Sequence, residues 1–141
     1  PNRNAKRHVK RGDVMPMQIL VIDDDQVVLK ACDRVLSSEG YEVVTESNPR
    51  KAFDLVQDSN FDVIICDWHL GSMDGLDVIE ILDKRSPKSA IVMISGFPSI
   101  PRATEAIRRG AVDFLAKPFT PEDIVEAIKK GIRYKRSKLP K

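Results

Sequence analysis

Five short apolar runs along the chain are separated by longer stretches in which apolar residues recur with helical spacing. Three of the runs are almost continuous in Val and Ile, which is typical of central parallel strands buried on both faces. The run that begins at Tyr41 mixes apolar and charged residues and therefore predicts an edge strand. The predicted strands cover residues 19–22, 41–44, 63–66, 91–94 and 114–116.

The intervening stretches repeat apolar residues at intervals of three and four, which predicts helices with one buried face. Asn48-Pro49 and Thr120-Pro121 each place a capping residue before a proline at the first helical position. Gly40 and Gly110 stand where helices are expected to end. The positions predicted to face the core are Val28, Ala31, Cys32, Val35, Leu36, Ala52, Leu55, Val56, Val78, Ile81, Leu82, Ala103, Ala106, Ile107, Ile124, Ala127, Ile128 and Ile132.

This alternation of strands and helices predicts a doubly wound α/β domain, a five-stranded parallel sheet with helices on both faces. Parallel strands require crossover connections, and those connections are right-handed. In such sheets ligands bind beyond the carboxyl ends of the strands, where the strand order reverses. We therefore expect the functional residues directly after the apolar runs.

Composition supports one soluble domain. The chain has 141 residues, of which 42% are hydrophobic and 31% charged, a balance unlike that of disordered or fibrous chains. Its apolar runs are far shorter than the roughly 20 residues of a membrane helix, and its beginning lacks the features of a secretory signal. Cys32 and Cys66 fit small core residues rather than a disulfide or metal framework, so we expect a cytoplasmic protein.

The net charge of +2 is unevenly distributed. Residues 1–17 hold five basic and one acidic residue, residues 129–141 hold seven basic and none acidic, and the remainder holds eleven basic and twenty acidic. Solvated ends are the simplest interpretation of the basic segments. We divide the chain into a basic N-terminal extension (1–17), a domain (18–134) and a basic tail or linker (135–141). The extension is expected to be disordered, or to be in part an added stretch or an alternative start, because Met15 and Met17 lie just before the first strand.

Polar residues follow four of the five predicted strands. The strands end in Asp23-Asp24-Asp25, Asp67, Ser95-Gly96 and Lys117-Pro118. Each of these signals alone is weak, because an acidic cluster after a strand is usually a solvated loop, and Asp25 fits a helix cap. Their combination at one edge of the sheet is far more specific.

From residue 18 to about residue 134 the chain resembles the response-regulator receiver domain of two-component signalling, the CheY-like superfamily. The resemblance rests on residues 19–25, Asp67, Met73-Asp74-Gly75, Ser95 and Lys117-Pro118-Phe119. It implies a flavodoxin-like fold with strand order 2-1-3-4-5, in which the first and third strands are neighbours. The spacing of apolar residues alone does not give this order.

If those strands are neighbours, about 4.8 Å apart, Asp23, Asp24 and Asp67 crowd together. Each close pair of like charges costs about 4 kcal/mol at 4 Å with an effective dielectric constant of 20. A cation is therefore needed, and oxygen ligands at an open edge suit Mg²⁺ or Mn²⁺. The resemblance implies that Asp24, Asp67 and the backbone carbonyl of His69 bind the ion directly, and that Asp23 acts through water.

The resemblance also makes Asp67 the phosphoacceptor, which takes a phosphoryl group from a partner histidine kinase or phosphotransfer protein. Lys117 and the ion would neutralise the transferred group. A lysine after an edge strand is usually only a surface charge, but receivers hold the bond to the next residue, here Pro118, in cis so that the lysine points inward. The domain would be a regulatory switch and not an enzyme, although it assists its own phosphorylation and dephosphorylation.

Ser95 would then hydrogen-bond a phosphoryl oxygen and draw its loop toward the site. In the family this movement is coupled to an aromatic residue that Phe114 matches here, although a phenylalanine lacks the hydroxyl of a tyrosine and could simply be core. The surface expected to change is the fourth helix, fifth strand and fifth helix, including Ala103, Ala106, Ile107 and residues 124–132. That surface would contact a downstream effector domain or protein, or a second copy of the chain.

Three positions depart from the family pattern. Gly71 stands where many receivers have proline, which suggests a looser loop. His69 and Phe97 occupy positions that influence loss of the phosphoryl group, and neither side chain carries a carboxylate or amide to orient water. Our hypothesis is that the phosphorylated form hydrolyses slowly.

Three other functions stay open at this point. The chain could be a receiver-like protein-binding module that is not phosphorylated. It could be a phosphatase of the haloacid-dehalogenase type, but that chemistry needs a second aspartate where this chain has His69, together with a cap domain. It could also bind nucleic acid through its basic ends, although only non-specific contact would follow.

Overall fold

Five strands and five helices alternate along residues 16–137, the part of the chain that the computed structural model describes. The strands are β1 (Gln18–Ile22), β2 (Glu42–Glu46), β3 (Val63–Asp67), β4 (Ala90–Ser95) and β5 (Asp113–Ala116). The helices are α1 (Gln26–Ser38), α2 (Pro49–Asp58), α3 (Gly75–Arg85), α4 (Ile100–Arg108) and α5 (Pro121–Ser137).

The strands form one parallel sheet in the order β2-β1-β3-β4-β5, which confirms the predicted fold class and strand order. β2 is an edge strand, as its mixed composition predicted, although it starts one residue later and ends two residues later than expected. Ile22 of β1 pairs in register with Cys66 of β3. The next residues, Asp23 and Asp67, therefore emerge side by side where the strand order reverses.

Alternate residues of the central strands face opposite sides of the sheet and build two apolar cores. On one side Leu20, Ile64 and Ile91 pack with α2, α3 and α4. On the other side the neighbouring residues of the same strands pack with α1 and α5. Cys32 and Cys66 are buried in different cores and are both free thiols, so the prediction that they are core residues is confirmed.

The helix ends follow the local sequence signals. The Asn48 side chain accepts hydrogen bonds from two backbone N–H groups in the first turn of α2, and the Asp25 side chain caps α1 by accepting one from the Val27 N–H. Thr120 and Asp123 form the predicted capping box, because each side chain accepts a hydrogen bond from the backbone N–H of the other. Gly40 and Gly110, with φ of +93° and +121°, follow the ends of α1 and α4.

The predicted core face of α4 is only partly correct. Ala106 is fully buried, but Ile107 is 48% exposed and Ile100, at the start of the helix, is 84% exposed. The reason is position: α4 packs on the edge strand β5 and beside α3, so one narrow side of it is covered.

The predicted changing surface cannot include Ala106 or the buried residues of α5, since these side chains face the core. These buried α5 residues are Ile124, Ala127 and Ile128.

The last helix, α5, is connected through Asp62 to the beginning of β1 and β3. The Asp62 carboxylate pairs with Lys135 and also accepts a hydrogen bond from the Gln18 N–H at 2.8 Å. α5 runs to Ser137, so the boundary predicted after residue 134 falls inside it. Residues 1–15 and 138–141, which hold most of the predicted extension and the end of the predicted tail, lie outside the described residues. None of the described helices combines the length and apolar character that crossing a bilayer requires.

Candidate functional site

Three carboxylates meet at the carboxyl edge of the sheet, by which we mean the edge formed by the last residues of the parallel strands. Asp23 is fully buried, Asp67 is buried and Asp24 is exposed. One carboxylate oxygen of each lies within 4.8 Å of the others. The parallel register of β1 and β3 produces this meeting, because both strands end at the same level of the sheet.

Among the residues that the structure describes, one ammonium group faces the two buried carboxylates. Lys117 Nζ lies 2.9 Å from Asp23 Oδ2 and 3.3 Å from Asp67 Oδ1. The lysine follows β5, and its bond to Pro118 is cis. One positive charge against three aspartates leaves the cluster with an excess of negative charge, which burial makes more costly.

The oxygens of Asp23 differ in how well they are satisfied. Oδ1 accepts a hydrogen bond from the Asp25 N–H at 2.9 Å. Oδ2 has the Lys117 ammonium as its close counter-charge, and no other group within the described part of the chain donates to this buried atom. Because Lys117 is shared with Asp67, Oδ2 is the less well satisfied of the two oxygens.

The titration of the site follows from its burial and charge. The pKa of Asp67 is raised above its ordinary value, first by burial and then by the charge of Asp23, and the nearby Lys117 only partly opposes this. Burial acts to lower the pKa of Lys117, but the close carboxylates of Asp23 and Asp67 outweigh it and raise that pKa. Both shifts describe a site with too little positive charge.

These donors fit a divalent cation. All three are carboxylate oxygens, the ligand type that Mg²⁺ prefers, and Mg²⁺ sites use one or two carboxylates together with water. The sharing of one Lys117 ammonium between Asp23 and Asp67 and the raised pKa of Asp67 both indicate that added positive charge would be stabilising here. Asp23, Asp24 and Asp67 could therefore hold Mg²⁺.

Ser95 lies at the same edge, at the end of β4. It is fully buried, and its hydroxyl oxygen accepts a hydrogen bond from the Phe97 N–H at 3.1 Å. Its backbone carbonyl accepts a hydrogen bond from the Lys117 N–H at 2.8 Å, which joins the ends of β4 and β5. The side chain of Ser95 is thus hydrogen-bonded to the backbone of the loop that leads into α4.

His69 and Phe97 come from the loops after β3 and β4, and their rings touch. Both side chains are exposed, and the rings meet edge-on with centroids 6.0 Å apart and planes 79° apart. The sequence suggested a role for each residue separately but gave no signal for this contact. Two aromatic rings therefore link the loops that flank the carboxylates.

Trp68, the residue after Asp67, is buried in a cluster that sequence analysis missed. Phe114 meets its ring edge-on, with centroids 5.8 Å apart. A Cβ atom on Gly75 would lie only 2.7 Å from an indole carbon, so α3 can pack here only with a glycine. The Arg102 guanidinium of α4 lies over the ring, 5.5 Å from its centroid. Phe114 is thus partly buried core packing, one of the two interpretations of this residue.

Gly71 gives the loop after β3 a conformation that proline cannot adopt. Its φ is +60°, whereas proline is fixed near −65°. The turn is closed by a hydrogen bond of 3.1 Å from the Met73 N–H to the Leu70 carbonyl. A proline at position 71 would therefore not fit this turn.

An apolar groove of about 390 Å³ adjoins the carboxylates on the α1 side. Val27, which is 75% exposed, forms part of it, although the sequence pattern did not single this residue out. Val28 and Ala31, predicted to face the core, are only partly buried and line the groove instead. The lining residues are Val27, Val28, Ala31, Lys117, Pro118 and Phe119.

Comparison with known proteins agrees with this geometry. The family model described as response regulator receiver domain matches residues 19–129, which is most of the chain. This chain belongs to the response regulator receiver domain family. The carboxylates, the serine and the lysine that meet at the carboxyl edge of the sheet therefore lie in a receiver domain.

Relatives of this receiver domain are response regulators. It is 32% identical over 119 residues to the alginate biosynthesis transcriptional regulatory protein AlgB of Pseudomonas aeruginosa, covering 84% of this chain but 26% of that protein. A response regulator from Burkholderia pseudomallei, whose crystal structure holds a phosphorylated aspartic acid, a calcium ion and citrate, is 33% identical with a TM-score of 0.76, covering 86% of this chain and 71% of that one. The beryllofluoride-activated NtrC4 receiver domain dimer is 31% identical with a TM-score of 0.79, covering 84% and 98%.

Neutralising Asp67 should stabilise this receiver domain in metal-free buffer. The pKa of Asp67 is raised in the folded state. The free energy of unfolding therefore falls as the pH rises from the ordinary carboxyl pKa through the folded-state pKa. At pH 7 we expect Asp67→Asn to raise the free energy of unfolding by on the order of 1 kcal/mol. Urea titrations measure this, and the gain should disappear in acid, where Asp67 is protonated in both states.

The control is Asp54→Asn, which changes an exposed carboxylate of α2. It should alter the free energy of unfolding by less than about 0.5 kcal/mol. A less stable Asp67→Asn variant at pH 7 would contradict the excess negative charge that the geometry indicates.

Proposed function

We propose that this receiver domain is a phosphorylation-dependent signalling switch in which Asp67 is the phosphoacceptor. The observation that carries the proposal is the placement of Asp67: it lies at the carboxyl edge beside two other aspartates, with the Lys117 ammonium 3.3 Å from its oxygen. The phosphorylated aspartic acid in the Burkholderia pseudomallei relative supports the same chemistry.

The donor is a phosphohistidine on a partner kinase or phosphotransfer protein. A carboxylate oxygen of Asp67 attacks phosphorus, so that an O–P bond forms while the P–N bond to the donor imidazole breaks. The electron pair of the broken bond stays on the imidazole nitrogen, which takes up a proton. The product on this chain is an acyl phosphate of Asp67.

The surrounding residues position and neutralise the transferred group. Lys117 shares its charge between Asp23 and Asp67, so it is close enough to pair with a phosphoryl oxygen bound to Asp67. Asp24, Asp67 and the backbone carbonyl of His69 would hold Mg²⁺ or Mn²⁺ directly, with Asp23 acting through water. A bound divalent ion supplies charge neutralisation on the phosphoryl oxygens.

Ser95 converts phosphorylation into movement. Its hydroxyl donates a hydrogen bond to a phosphoryl oxygen and still accepts one from the Phe97 N–H, so the loop after β4 follows the serine. The surface that changes is the exposed part of α4, β5 and α5, including Ile107 and excluding the buried residues of those helices. Phe114 contributes packing against Trp68 rather than a hydrogen bond.

The partners follow from the length of the relatives. Because the match covers about a quarter of AlgB, we propose that the switch acts on an effector domain or on a separate downstream protein. Any contact with nucleic acid would run through such an effector. The domain itself is regulatory rather than an enzyme acting on external substrates, and its place of action is the cytoplasm.

A homodimer through α4, β5 and α5 is a second use of the changing surface. The NtrC4 receiver is a dimer when activated by beryllofluoride, and Ile100 and Ile107 expose apolar surface on α4 here. Treatment with beryllofluoride and Mg²⁺ should therefore give a species of dimer mass in sedimentation experiments. A monomer at all concentrations would contradict it.

Phosphorylation itself is tested with a small donor. Incubation with acetyl phosphate and Mg²⁺ should add one phosphoryl group to the intact chain, detected by mass spectrometry and removed by hydroxylamine, which cleaves acyl phosphates. Asp67→Asn should show no addition, and Asp54→Asn should behave as the unchanged chain. Absence of any phosphoprotein would favour the binding module, and repeated turnover of a phosphomonoester would favour a phosphatase.

The phosphorylated form should decay slowly, because neither His69 nor Phe97 offers a group that orients an attacking water. Phosphate release from the purified phosphoprotein at neutral pH measures this. Phe97→Gln, which adds an amide at the site, should accelerate release several-fold, and Ile107→Gln on the exposed face of α4 should not. Loss of the phosphoryl group within seconds in the unchanged chain would overturn the expectation.

A further inference from the structure

Arg102 joins three parts of the structure that no sequence motif connects. It lies in the first turn of α4, where its backbone N–H donates a hydrogen bond to Ser99 Oγ at 3.2 Å. Its Nη1 donates a hydrogen bond to the Phe97 carbonyl at 3.1 Å, and its guanidinium lies over the Trp68 ring at 5.5 Å. The Arg102 side chain thus connects Trp68, the residue after Asp67, to the loop between β4 and α4, which we call the β4–α4 loop.

The indole of Trp68, at one end of this connection, is fixed in place. The indole is 6% exposed, Gly75 approaches it so closely that a methyl group would not fit, and Phe114 closes it from another side. Arg102, in contrast, is only partly buried and is long enough to reorient. Movement of the β4–α4 loop would therefore displace the guanidinium and leave the indole in place.

At its other end Arg102 is connected to Ser95 through Phe97. The Phe97 N–H donates to Ser95 Oγ, while the Phe97 carbonyl accepts from Arg102. A displacement of the serine hydroxyl is therefore passed through the backbone of residue 97 to the guanidinium. Phe114, the other ring against Trp68, has no polar side-chain atom that could make such a connection.

We propose that Arg102 is a latch: in the unphosphorylated domain it holds the β4–α4 loop against Trp68, and it releases when Ser95 moves toward the phosphoryl group. This inference rests on the proposed function and names a residue that regulates it. Because the latch stabilises only one of two states, it opposes activation, and its loss must shift the equilibrium toward the activated form.

The latch is tested first in the unphosphorylated domain, with Arg102→Ala and the matched control Arg108→Ala. Arg108 lies on the same helix, and its side chain is 73% exposed and pairs with Glu105 at 3.3 Å. Trp68 is the single tryptophan of the chain, so its fluorescence reports directly on the contact. Arg102→Ala should increase acrylamide quenching of Trp68 about twofold and amide exchange of Phe97 and Ser99 about fivefold. Arg108→Ala should change neither.

The release step is tested by the affinity for beryllofluoride in the presence of Mg²⁺, followed by Trp68 fluorescence. Arg102→Ala should bind this phosphoryl mimic about fivefold to tenfold more tightly than the unchanged chain, by the loss of one cation–π contact and one hydrogen bond. Arg102→Lys, which keeps a cation and one donor, should fall between them. Arg108→Ala should match the unchanged chain.

The outcomes separate the latch from the proposed function. Unchanged quenching and exchange in Arg102→Ala would show that Arg102 does not hold the loop, and equal or weaker beryllofluoride binding would show that it does not oppose activation. Either result overturns the proposal. If the unchanged chain itself fails to bind beryllofluoride, the proposed function is wrong and the release step is wrong with it. Quenching and amide exchange still decide whether Arg102 holds the β4–α4 loop.

Discussion

The interaction on which this structure depends is the crowding of three aspartates at the ends of β1 and β3, where Lys117 pairs with the two buried ones. Parallel register sets Asp23 beside Asp67, burial removes the water that would solvate them, and Lys117 can balance only one. Burial and then the charge of Asp23 raise the pKa of Asp67, and two buried carboxylates share one ammonium group. A site of this kind gains free energy from an added cation, and the proposed phosphorylation of Asp67 rests on that gain.

The same edge of the sheet is connected to α4. A series of hydrogen bonds and ring contacts begins at Ser95, passes through Phe97 to Arg102 of α4, and returns to Trp68 beside Asp67. α4 is well placed to respond because it covers only the edge of the sheet and has one narrow buried side. Elements with few buried contacts are those that open or move most easily.

The sequence was informative where local physics decides the outcome. Continuous apolar runs predicted the strands, and Asn48, Thr120 and Asp25 predicted the helix caps, because each signal acts within a few residues. The strand order came from the family resemblance, since apolar spacing is the same for any order of buried strands. Periodicity failed at Ile107 because it shows that a helix has an apolar stripe but not how much of it is covered. The contacts of Arg102 with Trp68 and of Asp62 with Lys135 join distant residues and leave no spacing signal.

Binding of Mg²⁺ tests the central claim most directly. Isothermal titration of the metal-free chain should show one ion per chain, with affinity reduced at least about tenfold in Asp24→Asn, which removes a carboxylate without disturbing the buried pair. Asp54→Asn, on the exposed face of α2, should bind the ion as the unchanged chain does. If Mg²⁺ does not bind saturably, or binds equally well without the Asp24 carboxylate, the three aspartates do not form the cation site on which this account is built.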